Sequence, residues 1–294
     1  MTGRRRGTDE RTEAGRRRAR SRSVVATFLL VTSAASVPFW VLGAVVDGSL
    51  IGGLPVSALM FLAPVVGVVA ACPAERWRET SQRLRGLTAR AAATAVAADL
   101  LWVPVMPVVV GVAVLLGPSR ADIGAITGVA VMAALVALVL AAAAEELGWT
   151  WLLARELRKV SAWRVALLSG AIWAGLHVVP WVQGGHDLTW IAAQAAFTVL
   201  FRFVIVTADR RTSRIGVAVV LHATYNTAWV VLADAGAAYS PAVTTIVLVP
   251  VAATIAICAR QQQRLRPRRG TRPTGALQAR PAPDVAPRAG TPAA

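Results

Sequence analysis

The sequence predicts an all-α fold, a polytopic transmembrane helix bundle of about eight spans, on three observations. Hydrophobic residues make up 56% of the 294 positions and charged residues only 16%, against about 25% charged in an ordinary soluble domain. The apolar residues are gathered into runs longer than the ~18 residues that mark a membrane-crossing helix. The loops between these runs alternate between basic and non-basic, as topogenic charge does.

Residues 1–22 are polar and carry Arg4, Arg5, Arg6, Arg16, Arg17, Arg18, Arg20 and Arg22, a composition expected to stay disordered. The first apolar run is too long for a signal peptide and lacks a convincing cleavage site, so it reads as a retained helix. Spans follow at 24–46, 50–72, 92–116, 127–153, 164–181, 188–207, 215–233 and 241–259, within one transmembrane domain covering 23–259. Residues 260–294 repeat Pro, Arg, Gly and Ala and read as a second disordered tail.

Charge sets an expected orientation. The N-terminus, the 73–90 loop (Arg76, Arg78, Arg83, Arg85, Arg90), the 154–163 loop (Arg155, Arg158, Lys159), the 208–214 loop (Arg210, Arg211, Arg214) and the tail are basic. The intervening loops carry Asp47, then Arg120 with Asp122, then His186 with Asp187, then Asp234. Both termini are therefore expected in the cytoplasm. The net charge of +16 is explained by anionic lipid headgroups, and no nucleic-acid partner is expected. Trp77, Trp163, Trp181 and Trp190 fall near span ends, where interfacial anchors sit. Cys72 and Cys258 have no metal or disulfide spacing and read as small hydrophobes. The Arg-, Ala- and Val-rich usage points to a bacterial genome, and hence to the plasma membrane.

Polar residues inside apolar runs are costly, about 2.5–3.5 kcal/mol for a charge, and are functional candidates by default. The fourth span holds Glu145 and Glu146 side by side, the fifth His177, and the seventh His222 with Asn226. Their depths agree. Counting from the basic ends of their helices at 1.5 Å per residue, Glu145 lies roughly 13 Å in, His222 roughly 12 Å and His177 roughly 20 Å. His222 and Asn226, four apart, share one helix face, as do Trp173 and His177. The adjacent glutamates point about 100° apart, so Glu145 is given the central position and Glu146 a supporting one.

Two chemistries fit such a set. A buried carboxylate can act as general base on water while imidazoles and an amide orient it or hold an oxyanion. Alternatively Glu145, His177 and His222 can supply three ligands to a divalent metal such as Zn²⁺, with water in the fourth position. There is no HExxH helix and no GxSxG elbow. A secondary transporter also places acids and histidines at mid-membrane, but usually with repeated or broken helices in matching halves, which this sequence lacks.

The segments Glu145-Glu146-Leu147-Gly148-Trp149-Thr150, Trp173-Ala174-Gly175-Leu176-His177 and His222-Ala223-Thr224-Tyr225-Asn226 resemble the motifs of the CPBP family, the CAAX-protease and bacteriocin-processing membrane endopeptidases. Their pattern is EExxxR, then FxxxH, then HxxxN, and the resemblance covers roughly 124–232. It implies hydrolysis of a peptide bond in a membrane-associated protein or peptide near the cytoplasmic face. By this analogy Glu145 and His177 activate water, while His222 and Asn226 hold the oxyanion. It also leaves open a metalloprotease, or an inactive relative with a binding or immunity role.

One departure matters. Thr150 stands where the family has arginine, four residues after Glu146, the spacing of an ion pair on one helix face. Arg202 in the sixth span is a candidate replacement. Lying six residues from a basic loop, it also fits a snorkelling role. Asp99 in the third span reads as the partner of an arginine, and His186 as a surface residue.

Overall fold

The computed structural model describes residues 3–46, 48–50, 53–85, 89–117, 121–212 and 214–265. Asp47, Arg120 and the tail from 266 onward lie outside these residues. Among the described residues the chain is helical and has no strand; only an isolated bridge joins Ser49 to Pro55.

The helices follow the apolar runs closely. They are α1 (Gly3–Val45), α2 (Ala63–Ala71, entered through a 3₁₀ stretch, Val56–Leu62), α3 (Ala74–Arg85), α4 (Ala89–Leu100) and α5 (Val105–Leu116). After these come α6 (Gly128–Glu146, continuing as a π-helix over Leu147–Ala154), α7 (Ala162–Gln183), α8 (Leu188–Thr212), α9 (Ile215–Asp234) and α10 (Pro241–Leu265). Among the described residues, seven helical segments are long and apolar enough to cross a membrane. The chain is a multi-pass helical membrane protein.

Three details differ from the sequence reading. Helical backbone begins at Gly3, inside the stretch that composition left as a tail; arginine and glutamate are good helix formers and extend the first span outward. The third span is two helices broken at Trp102–Pro104, because Pro104 supplies no N–H to the turn before it. The second span is the shortest, 56–71. Its 3₁₀ stretch rises about 2.0 Å per residue, so these residues still cover about 28 Å. It runs alongside α1: Ser57 lies against Gly43 near one end of α1, and Gly67 against Phe28 and Thr32 further along it. At the other end Arg20 pairs with Glu75 at 2.7 Å.

That end collects the charged groups. Glu156 accepts from Ser21 and Arg76, Arg155 pairs with Asp209, Arg210 donates to the Leu157 carbonyl, and Arg214 pairs with Asp99 at 2.7 Å. All these basic loops therefore share one end of the bundle. The opposite end carries Asp122 and Asp187 as helix caps and is rich in aromatic rings, with Trp40 beside Met60, His186 stacked on Trp190, and Tyr239 bonded to Tyr225 and Gln194.

Two apolar cores divide the interior. One joins α5, α8, α9 and α10 through Met106, Phe197, Phe201, Ile205, Leu221 and Leu248. The other joins α1, the second span, the π-helix and α7 through Phe28, Met60, Trp149, Leu152, Trp173 and Leu176. The intramembrane polar residues lie on the seam between them.

Candidate active site

Glu145 and Glu146 occupy the last turn of α6, where the α-helix passes into the π-helix. Single-turn π geometry is rare and recurs at functional sites, since widening the turn re-aims the side chains that follow. Gly148 permits close packing here. A Cβ at that position would come within 2.7–2.8 Å of the Pro64 side chain and the Phe28 ring, so glycine lets this segment press against α1 and α2.

The two glutamates have separate partners, as their angular offset predicts. Glu146 is 1% exposed and is the hub of a polar cluster. Arg202 Nη1 donates to both its carboxylate oxygens at 2.9 and 2.8 Å, and Thr150 Oγ1 donates to Oε2. Arg202 Nη2 donates in turn to Thr150 Oγ1 at 3.1 Å, which closes a ring of three side chains. His222 Nδ1 donates to Glu146 Oε1 at 3.0 Å. Arg202 is itself 1% exposed, so it does not snorkel: it is the buried counter-charge of Glu146.

Glu145 faces the other way, into a narrow crevice lined by Thr32, Ser36, Met60, Pro64, Trp149, Trp173, Leu176 and His177. Its Oε2 accepts the indole N–H of Trp173. Trp173 stands between both imidazoles, with ring centroids 4.8 Å from His177 and 5.3 Å from His222, both edge to face. It thus ties the fifth and seventh spans to the carboxylate of the fourth. His177 Nδ1 bonds the Trp173 carbonyl one turn back at 2.8 Å. A carbonyl can only accept, so Nδ1 carries the hydrogen and Nε2 keeps its lone pair.

Asn226 is the outlying member. It is partly buried one turn beyond His222 on α9 and bonds no described side chain. Sequence reasoning missed the indole of Trp173 as a ligand of Glu145, because a tryptophan four residues before a histidine reads first as a packing residue. It also missed the Thr150 hydroxyl as the bridge between Arg202 and Glu146.

The donor set does not fit a metal. Among the described residues no three His, Cys, Asp or Glu side chains converge as metal ligands.

A helical membrane bundle with a buried Glu–His–Arg cluster beside a second, crevice-lining glutamate defines the class: a polytopic protein built around an intramembrane polar site. Residues 127–228 match the family model described as type II CAAX prenyl endopeptidase Rce1-like. The matched stretch is similar to that family and contains both glutamates, both histidines, Asn226, Thr150, Trp173 and Arg202. No curated protein matches the chain.

Proposed function

We propose that the protein is an intramembrane endopeptidase that cuts a membrane-associated peptide or protein near its basic end, which we assign to the cytoplasm of a bacterial cell. One observation carries this reading: Glu145 is held in a crevice against Trp173 and His177, while its neighbour Glu146 is consumed by Arg202 and His222. One carboxylate is structural and the other is left for chemistry.

Glu145 accepts a proton from water as the water oxygen bonds to the carbonyl carbon and the carbonyl π electrons move onto oxygen. His177, through the lone pair on Nε2, orients the same water. Collapse of the tetrahedral species breaks the C–N bond, and the departing nitrogen takes the proton held by Glu145. His222 and Asn226 are the oxyanion side of the site. With Nδ1 donating to Glu146, His222 can donate from Nε2 only as the imidazolium, which the Glu146 carboxylate faces at 3.0 Å. Asn226, with no partner among the described residues, keeps its amide free for the same oxygen. No metal enters this account.

The family description includes prenyl substrates, and a crevice opening among apolar helices suits a lipid-anchored peptide. Purified protein in lipid vesicles is tested on quenched fluorescent peptides ending in a CAAX sequence, with and without a farnesyl group on the cysteine, and on a peptide library from a membrane fraction. New N-termini produced by the wild type and absent with Glu145→Ala support the reading; no Glu145-dependent product contradicts it.

A further inference from the structure

The crevice beside Glu145 holds a second unpaired group. Trp149 is 1% exposed, yet its indole N–H has no acceptor among the described residues. Leaving a buried donor unpaired is costly, so such a group in a native interior calls for an account. Trp173 offers the contrast. Its N–H in the same crevice is spent on Glu145 Oε2, whereas Glu145 Oε1 accepts from no described residue. The residues lining the crevice therefore include a carboxylate oxygen without a described donor and a buried N–H without a described acceptor, and the two are not paired with each other.

The Trp149 ring is also fixed. It packs edge-on against Phe28 with centroids 5.4 Å apart, within the π-helix that follows the glutamates. A rigid aromatic with a buried, unpaired N–H is a preorganised donor, and such donors act most strongly where charge develops on oxygen.

We infer that the Trp149 indole N–H receives a carbonyl oxygen of the peptide substrate beside Glu145, as a substrate-contacting donor distinct from His222 and Asn226. Hydrolysis needs both unpaired groups: Glu145 takes the proton of water, and Trp149 steadies the peptide carbonyl. The assignment rests on the endopeptidase reading, but it makes a binding prediction of its own.

The full chain is prepared in detergent with ¹⁵N-labelled tryptophan, and the Trp149 indole N–H cross-peak is identified by its loss in Trp149→Phe. The farnesylated CAAX peptide is then titrated in, and cleavage kinetics are measured for wild type, Trp149→Phe and Glu145→Gln. The expected result is a cross-peak that shifts with peptide saturation, and a kcat for Trp149→Phe reduced about 100-fold with KM little changed. A cross-peak that stays still while peptide binds overturns the inference; should Trp149→Phe misfold, the same peak is assigned on folded protein by elimination, through single substitution of the other nine tryptophans. Wild-type kcat in a folded Trp149→Phe overturns it too. If peptide shifts the cross-peak and the wild type cleaves nothing, the endopeptidase reading falls and the donor stands; if the peptide neither binds nor is cleaved, both fall.

Discussion

Arg202 Nη1 lies 2.9 and 2.8 Å from the two carboxylate oxygens of Glu146, and both side chains are 1% exposed. The arginine that the CAAX-protease motif carries four residues after its second glutamate is here supplied by another helix, with Thr150 filling the vacated position and bonding both partners. Removing one member of a buried pair leaves the other charge uncompensated, at about 3–5 kcal/mol. Arg202→Ala is therefore expected to lower the thermal midpoint in detergent sharply and to abolish cleavage. Thr150→Arg placed in that background restores an arginine at the motif position and is expected to recover both; in the wild-type background it crowds a second cation beside Glu146 and destabilises.

Thr150 joins the pair through its hydroxyl alone. Thr150→Val keeps the shape and deletes two hydrogen bonds, one donated to Glu146 and one accepted from Arg202. A loss of about 1–3 kcal/mol is expected, read by denaturation in detergent, with activity falling less than in Arg202→Ala.

Gly148 separates packing from chemistry. Gly148→Ala puts a methyl group into the Pro64 and Phe28 side chains, so overpacking is expected to cost about 1–3 kcal/mol and to shift the glutamates. Phe28→Leu in the same background removes part of the ring it meets and is expected to return some of the thermal stability.

Trp173→Phe removes the indole N–H that Glu145 accepts while keeping an aromatic ring between the two imidazoles. Cleavage is expected to fall about tenfold or more, on the scale of a lost hydrogen bond to a charged group, and the thermal midpoint to fall with it, because the buried carboxylate loses its donor. A chelator added to the wild type in the same assay is expected to leave the rate unaltered, because the three candidate ligands do not converge.

Much of this architecture is legible in the sequence because a bilayer tolerates so few solutions. A run of apolar residues must be a helix, and His177, His222 and the glutamates stand out because a buried polar group needs a reason. Asp99 was readable in the same way and meets Arg214. Pairing across helices was less legible. Arg202 sits close enough to a basic loop to fit snorkelling, and only the packing of α8 against the π-helix shows that it turns inward. The 3₁₀ entry to the second span and the π-helix after Glu146 are not signalled by hydropathy, which counts residues and not rise per residue. Pro64 and Gly148 were the available hints, the first at the start of α2 and the second where Phe28 leaves no room for a Cβ.

The central claim is that Glu145 does the chemistry while Glu146 holds the fold, and a paired measurement tests it most directly. Glu145→Gln and Glu146→Gln are compared with wild type for cleavage of the farnesylated CAAX peptide and for thermal unfolding. The account predicts that Glu145→Gln unfolds with the wild type but does not cleave, and that Glu146→Gln loses stability along with cleavage. Wild-type cleavage by Glu145→Gln, or a Glu146→Gln protein as stable as the wild type, would contradict it.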